Sequence, residues 1–394
     1  MARPAESAKL RGQLVAELER RGLIQSDRVR QAFLAVPREL FVPEFAARDG
    51  LAAVYRDQAI LTKHNEHGVP VSSSSQPAIM AEMLEQLELA EGMNVLEVGA
   101  GTGYNAALLS LLVGKRGRVV SVDVDAHTAA EARRALTAGG YRVRVVRADG
   151  RAGLARVGPY DRIIVTASTD AVPRAWYEQL KDVGLLEVPL RLNTIGQQAI
   201  PVLRKTSRGF RSLRVSCGGF MPLRSADGDG GPPREPCLSV SDLSRVGSEP
   251  LVQLTGAALA TLSQAAKRRL VATALGQPRM TRLGMRAPHG SLGLYLSLTL
   301  PKNRLTISYP GFRIGALGRD GASLAVIDVA RSERWRVVIY AYGGCEAEEL
   351  LLDGVREWDR RGRPVESDLD LRVTYVDDHP RLAVRWPPIA RSAS

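Results

Sequence analysis

Residues 96–105 read Leu-Glu-Val-Gly-Ala-Gly-Thr-Gly-Tyr-Asn, and no other stretch constrains the fold as much. An apolar run over 95–98 ends at three alternating glycines, and a helical pattern over 106–113 follows at once. Glycines at such a bend permit a tight strand-to-helix turn and let the backbone pass close to a ligand. Further apolar runs at 119–122, 143–146 and 163–165 alternate with a helical stretch at 128–138. That alternation predicts an α/β fold with a mostly parallel sheet, helices on both faces. Later strands are expected at 185–189 and 200–203, the second forming a hairpin with 212–215.

The flanking sequence is organised around this core. Leu10, Leu14 and Leu18 repeat at helical spacing, as do Val29, Phe33 and Val36 before Pro37. Residues 63–75 read as a polar loop, followed by a helix with Ile79, Met80, Met83, Leu84 and Leu87 on one face. The segment 225–236 (SADGDGGPPREP) reads as a linker, dividing the chain into domains 1–224 and 237–394. Beyond it a helix is expected at 259–275. Leu292, Leu294, Leu296, Leu298 and Leu300 alternate strictly with other residues, the pattern of a half-buried strand. Strands at 336–342 and 369–376, and a helix carrying Leu351, Val355 and Trp358, make the second domain α+β.

Composition narrows the setting. No run approaches ~18 apolar residues, so no membrane span is expected. Charges throughout the N-terminus argue against a secretory signal. Three scattered cysteines, Cys217, Cys237 and Cys345, suit neither a disulfide framework nor a CxxC metal site. A cytoplasmic protein without a bound metal is expected. The net charge of +12 comes largely from arginine, yet no aromatic-rich RNA-reading motif accompanies it, so nucleic acid is not the expected partner. His64 and His67 lack a further ligand at metal-binding spacing and read as surface loop residues.

The strand ends carry the chemistry. Asp123 lies about twenty residues past Gly103 at the end of the second strand, where a carboxylate can accept both hydroxyls of a ribose. Asp149 and Gly150 follow the third strand, and Asp161 opens the fourth. Position 104 is tyrosine where a dinucleotide fingerprint has its third glycine, and Glu97 precedes the turn. The combination resembles motif I of class I S-adenosylmethionine (SAM) methyltransferases, Rossmann-like enzymes, more than an NAD fold.

Several separated blocks make the resemblance narrower. Val36-Pro37-Arg38-Glu39-Leu40-Phe41-Val42-Pro43 is similar to the VPRE-x-FVP signature of the protein-L-isoaspartate O-methyltransferase family, and Tyr55-Arg56-Asp57 to its next short loop. Ser73-Ser74-Ser75-Gln76-Pro77 stands where that family has Thr-Ile-Ser-Gln-Pro. Residues 101–109 (GTGYNAALL), 159–167 (PYDRIIVTA) and 196–198 (GQQ) complete a match over roughly residues 10–224. The resemblance implies Ser75 as the key hydroxyl of the acceptor loop. It assigns Glu97, Gly99, Ala100, Gly101, Gly103, Tyr104, Asn105, Asp123, Val124, Asp149, Gly150 and Gln198 to SAM, with S-adenosylhomocysteine as product. Ser73, Ser74, Gln76, Thr166, Ala167, Ser168, Val188, Pro189 and Leu190 would line the peptide groove. The reaction implied is carboxyl methylation of an aspartyl or isoaspartyl residue. An ionised carboxylate (pKa near ~3.9) is its own nucleophile and needs no general base. The neutral ester can then close to a succinimide (aspartimide) by attack of the next backbone nitrogen.

Two departures stand at the acceptor loop: Ser73 and Ser74 replace Thr and Ile, and His67-Gly68-Val69-Pro70-Val71-Ser72 replaces a glycine-rich approach. The second domain, of net charge +6, lies outside these blocks. Extended enzymes of similar arrangement are associated with ribosomally made, modified peptides. The expected partner is therefore such a peptide, with general isoaspartyl protein repair as the alternative. A homodimer is left open.

Overall fold

The computed structural model of the chain describes residues 4–64, 70–192, 198–225, 237–240, 252–288, 290–309, 313–319, 321–330 and 336–386. The linker expected at 225–236 lies outside them except for Ser225, as does His67.

The chain opens with α1 (Pro4–Arg20) and α2 (Asp27–Ala35), whose apolar stripes bury Leu14, Leu18, Val29 and Phe33. Ser26 caps α2 by accepting from the Val29 N–H, which fixes where that helix starts. Two short helices follow, α3 (Pro43–Asp49) and α4 (Leu51–Val54). Of the stretch 63–75, read as a loop, residues 65–69 lie outside the described residues, and the flanking parts are strands: β1 (Ile60–His64) and β2 (Pro70–Ser74) form an antiparallel pair, with Ile60 opposite Ser74 and Leu61 opposite Ser73. Serine is polar but fits a strand when its hydroxyl is bonded. Thr62 Oγ1 lies 3.2 Å from Ser72 Oγ, and Ser72 and Ser74 are both buried.

After α5 (Pro77–Gln86) the alternation read from the sequence is realised: β3 (Asn94–Val98), α6 (Tyr104–Val113), β4 (Arg118–Asp123), α7 (Ala126–Ala138), β5 (Val143–Arg147), β6 (Tyr160–Val165), α8 (Arg174–Gln179) and β7 (Leu180–Glu187). Strands β7, β6, β3, β4 and β5 lie side by side in that order and run parallel. β8 (Gln198–Thr206) and β9 (Gly209–Gly218) extend the sheet as an antiparallel hairpin on β7. Valine, leucine and isoleucine fill β3, β4 and β6 because both faces of these strands are covered.

The second half contains β10 (Cys237–Val240), β11 (Val252–Thr255), α9 (Gln264–Ala274), β12 (Arg279–Arg286), α10 (Ser291–Thr299), β13 (Leu305–Tyr309), β14 (Arg313–Leu317), β15 (Leu324–Ala330), β16 (Arg336–Tyr342), α11 (Glu346–Arg360), β17 (Asp370–Val376) and β18 (His379–Arg385). β10, β11, β13, β14, β15, β16 and β12 form a seven-stranded sheet in that order, antiparallel throughout, with α10 and α11 in its core. The helix expected at 259–275 is divided into a 3-10 turn (Ala257–Thr261) and α9, because Ser263 caps α9 through the Ala266 N–H.

Two larger differences from the sequence reading concern this half. The alternating leucines form helix α10, not a strand. Leu292, Tyr295 and Leu296 pack into the core of the second sheet, whereas Leu294 packs into the core of the first with Leu371 and Val373. A helix wedged between two cores is apolar all round, so its leucines lose the 3.6-residue pattern that would identify it. The last hairpin, β17–β18, leaves the second sheet altogether and joins the first, with Val373 opposite Phe210 and Thr374 opposite Gly209 on β9. The first sheet thus has nine strands, two of them contributed from beyond residue 369. A boundary that assigns all of 237–394 to a separate domain cuts through it. Among the described residues no helix is long and apolar enough to cross a membrane.

Candidate active site

A cleft opens at the C-terminal ends of β3, β4 and β6, where parallel strands of such a sheet deliver their loops. The glycine turn forms its floor. Gly99 has φ +101°, and a Cβ there would stand 2.5 Å from Thr166 Oγ1. Gly101 has φ +51°, and its Cβ would stand 3.1 Å from the Ser73 carbonyl oxygen on the opposite wall. The turn is therefore a cradle that a side chain would fill. Thr166 reinforces it by donating to the carbonyls of Gly99 (2.7 Å) and Val98 (3.1 Å).

Asp123 stands beside this turn. Its Oδ2 accepts from the Gly101 N–H (3.2 Å) and its Oδ1 from the Asp125 N–H (3.0 Å). Burial raises its pKa, while those two backbone bonds and the positive field of Arg224 oppose the rise. Each oxygen keeps lone-pair capacity for a ligand diol.

The structure brings together on one cleft Ser73, Ser74 and Ser75 of the serine segment, Gly99, Ala100, Gly101, Tyr104 and Asn105 of the turn and the helix it opens, Asp123 and Val124, Gly150, and Thr166 and Ala167. Other expected residues stand elsewhere. Glu97 is fully buried beneath the turn, where its carboxylate accepts from Asn105 Nδ2 (2.8 Å) and Ser121 Oγ (2.5 Å). Gly103 packs against α7 at Ala132 and Leu136. The Asp149 carboxylate accepts from Arg151, through its backbone N–H (2.9 Å) and its guanidinium (3.0 Å). Asp161 lies at the other end of the sheet, accepting from the Asn94 N–H and Lys181. Gln76 bonds Asp57 rather than facing the cleft.

Gln198, Ser168, Val188, Pro189 and Leu190 also lie off the cleft, Ser168 and residues 188–190 being buried in the sheet's core. The Gln198 amide brackets Phe220, donating to its carbonyl (2.9 Å) and accepting from its N–H (2.8 Å). Ser168 bonds Met221 and Leu223 through its backbone. Together they hold the segment Met221, Pro222, Leu223 and Arg224, which forms a wall of the cleft that sequence reasoning missed. A proline four residues after the end of β9 was its one signal. Among the described lining residues, Asp123 and Arg224 are the two that carry charge, so the serine wall presents no cation.

Burial raises the Glu97 pKa to about 7, the bonds from Ser121 and Asn105 opposing it. In the unfolded chain the group titrates near its ordinary 4.5. Stability from the protonated form is therefore full below that value and is lost as pH rises through about 7. Glu97→Gln keeps the acceptor for Asn105 and offers a donor to Ser121. The variant is expected to exceed the native chain by about 2–3 kcal/mol above neutrality, the two converging in acid, as read by urea denaturation at both pH values.

Comparison with known proteins agrees with this geometry. Residues 9–227 match the family model described as protein-L-isoaspartate(D-aspartate) O-methyltransferase. The chain is 40% identical over 205 residues to the protein-L-isoaspartate O-methyltransferase of Methanosarcina mazei, covering 52% of this chain and 78% of that one. It is 37% identical to the Pyrobaculum arsenaticum protein of the same name, covering 54% and 98% respectively. A solved structure titled protein-L-isoaspartate O-methyltransferase aligns over 95% of this chain and 99% of its own, with TM-score 0.54 and 26% identity. That alignment extends well past residue 227, so the second half also has a counterpart there.

Proposed function

The chain belongs to the protein-L-isoaspartate(D-aspartate) O-methyltransferase family, and from that premise we propose that it methylates the free carboxylate of isoaspartyl residues in proteins or peptides. It is a SAM-dependent protein carboxyl O-methyltransferase. The observation that carries the substrate reading is the shared cleft: the serines 73–75 face the glycine turn and Asp123 across one opening.

The residues present fit the cofactor. The cradle at Gly99 and Gly101 has no room for side chains, and Asp123 offers a partly buried carboxylate next to it. Asp123 would hold the ribose hydroxyls, and the backbone of the turn the methionine portion. When bound, SAM supplies an electrophilic methyl group. The protein's own contribution is alignment. Ser73 and Ser75 would position the acceptor carboxylate through neutral hydroxyls, leaving its charge available for attack where a direct ion pair would hold it in the ground state. Leu223 and Met221 would exclude water from the opposite wall.

A constrained, ribosomally made aspartyl peptide is the narrower alternative, resting on the additional second half of the chain and on the departures at the acceptor loop, Ser73 and Ser74 among them. Both serines line the cleft, but Ser74 is buried with its Oγ 3.4 Å from Arg38 Nε, so Ser73 is the more exposed of the two substitutions. The extended solved relative carries the isoaspartyl name, which favours the broader reading. The test incubates the protein and SAM with a linear isoaspartyl peptide, its aspartyl twin and a cyclised aspartyl peptide. Methyl gain on the isoaspartyl peptide alone is expected by mass spectrometry. Methylation confined to the cyclised peptide would replace this reading with the alternative.

A further inference from the structure

Arg38 is completely buried, and among the described residues no carboxylate bonds its guanidinium. It spends its donors on backbone oxygens instead. Nη1 donates to the carbonyls of Val54 (2.8 Å) and Arg56 (3.2 Å), and Nη2 to those of Gln58 (3.0 Å), Ser75 (3.0 Å) and Ser74 (3.4 Å). Nε lies 3.4 Å from Ser74 Oγ, and the guanidinium carbon stands 5.9 Å from the centre of the Tyr104 ring. Two chain segments, 54–58 and 74–75, are therefore laid around one planar cation.

Removing a cation from water is costly, and here backbone carbonyl dipoles offset that cost, helped by the Ser74 hydroxyl, the Tyr104 ring and the field of Asp57, which makes no bond to the guanidinium. Fixing the 54–58 turn would not by itself call for bonds to the serine segment. The bonds to Ser74 and Ser75 show where the fork's remaining donors are directed. On the far side of Ser75 the same peptide is anchored again: Asp57 accepts from the Gln76 amide (3.0 Å) and from the Ala78 N–H (2.8 Å). Ser75 is thus held from both sides at a position that lines the cleft.

We infer that Arg38 is a positioning residue for methyl transfer: its guanidinium fork sets the Ser74–Ser75 backbone, and through it the hydroxyl that receives the substrate carboxylate. This deepens the proposed function and rests on it. A fork is required because five carbonyls converge on one plane. Lysine would preserve the charge but could not serve both segments at once. Sequestering the cation behind the serines also keeps it from pairing directly with the acceptor.

The test uses the full chain carrying Arg38→Lys, with Arg38→Gln as a second variant should lysine prevent folding. Misplacing an acceptor group by about 1 Å can cost roughly 100-fold, so kcat on the isoaspartyl peptide is expected to fall on that scale with KM and SAM affinity little changed. Amide hydrogen exchange should quicken at 74–78 and not across the chain. Native kcat in Arg38→Lys would overturn the inference, as would SAM affinity and global protection falling together with kcat. If the native enzyme leaves isoaspartyl peptide unmethylated, the substrate reading fails, and the exchange measurement alone decides: protection at 74–78 unchanged in the variant overturns the role of Arg38.

Discussion

An Asp123→Ala variant will bind SAM about 100-fold more weakly than the native enzyme. Hydrogen bonds to a charged carboxylate contribute ~1.5–3 kcal/mol each, and two ribose hydroxyls would be lost together, with each 1.4 kcal/mol a factor of ten. The same change strips acceptors from the N–H groups of Gly101 and Asp125, which loosens the turn under the cofactor. Asp123→Asn separates the two effects, since it retains one acceptor for the turn while losing the charge, and an intermediate affinity is expected. Ser75→Ala should show the opposite division: turnover falls steeply and SAM affinity is unchanged, because Ser75 lies on the cleft wall proposed to receive the acceptor. Calorimetric titration with SAM alongside steady-state kinetics measures both. Native SAM affinity in Asp123→Ala would remove the ribose assignment.

Gly209→Ala is expected to detach the C-terminal hairpin from the first sheet. Gly209 has φ +142°, and a Cβ there would stand 1.9 Å from the carbonyl oxygen of Val373 on the paired strand. That contact is with backbone, so no rotamer change relieves it and β17 must move away. Leu369, Leu371 and Val373 are buried by the docking, at ~1.5–3 kcal/mol each. Losing them removes a large share of the ~5–15 kcal/mol by which a domain is ordinarily stable. The partner contacts go too: Tyr375 OH donates to the Val172 carbonyl (3.2 Å), and Arg174 pairs with Asp378 (2.9 Å). A chain cut after Arg224, at the boundary read from sequence, should fail more completely, because β9 is left as an open sheet edge with Phe210 uncovered. Thermal melting and gel filtration of both proteins would check this. A monomeric, cooperatively melting 1–224 fragment would contradict it.

Much of the fold was legible because the parallel strands are short, apolar and bounded by glycine and aspartate. The cleft floor was legible for the same reason, since glycines at 99 and 101 state the geometry directly. What escaped depended on distant partners. The leucines at 292–300 read as a strand because the helix they form lies between two cores, a circumstance no local pattern encodes. Ser72 and Ser74 read as a loop because their hydroxyls are satisfied by Thr62 and Arg38, from other parts of the chain. Arg38 stands within the VPRE-like stretch, yet its bonds reach residues 16 to 37 positions away. Glu97 and Gln198 brace neighbouring parts and stay off the cleft, and the resemblance alone could not distinguish the two roles.

The nine-stranded sheet has a consequence for synthesis. Its central strands emerge from the ribosome early, but the pair that closes one side is encoded at 370–385. Throughout translation of the intervening residues, β9 must wait with an unprotected flank. A nascent chain stalled in that interval would be a ready target for chaperones and for strands of its neighbours on the same polysome.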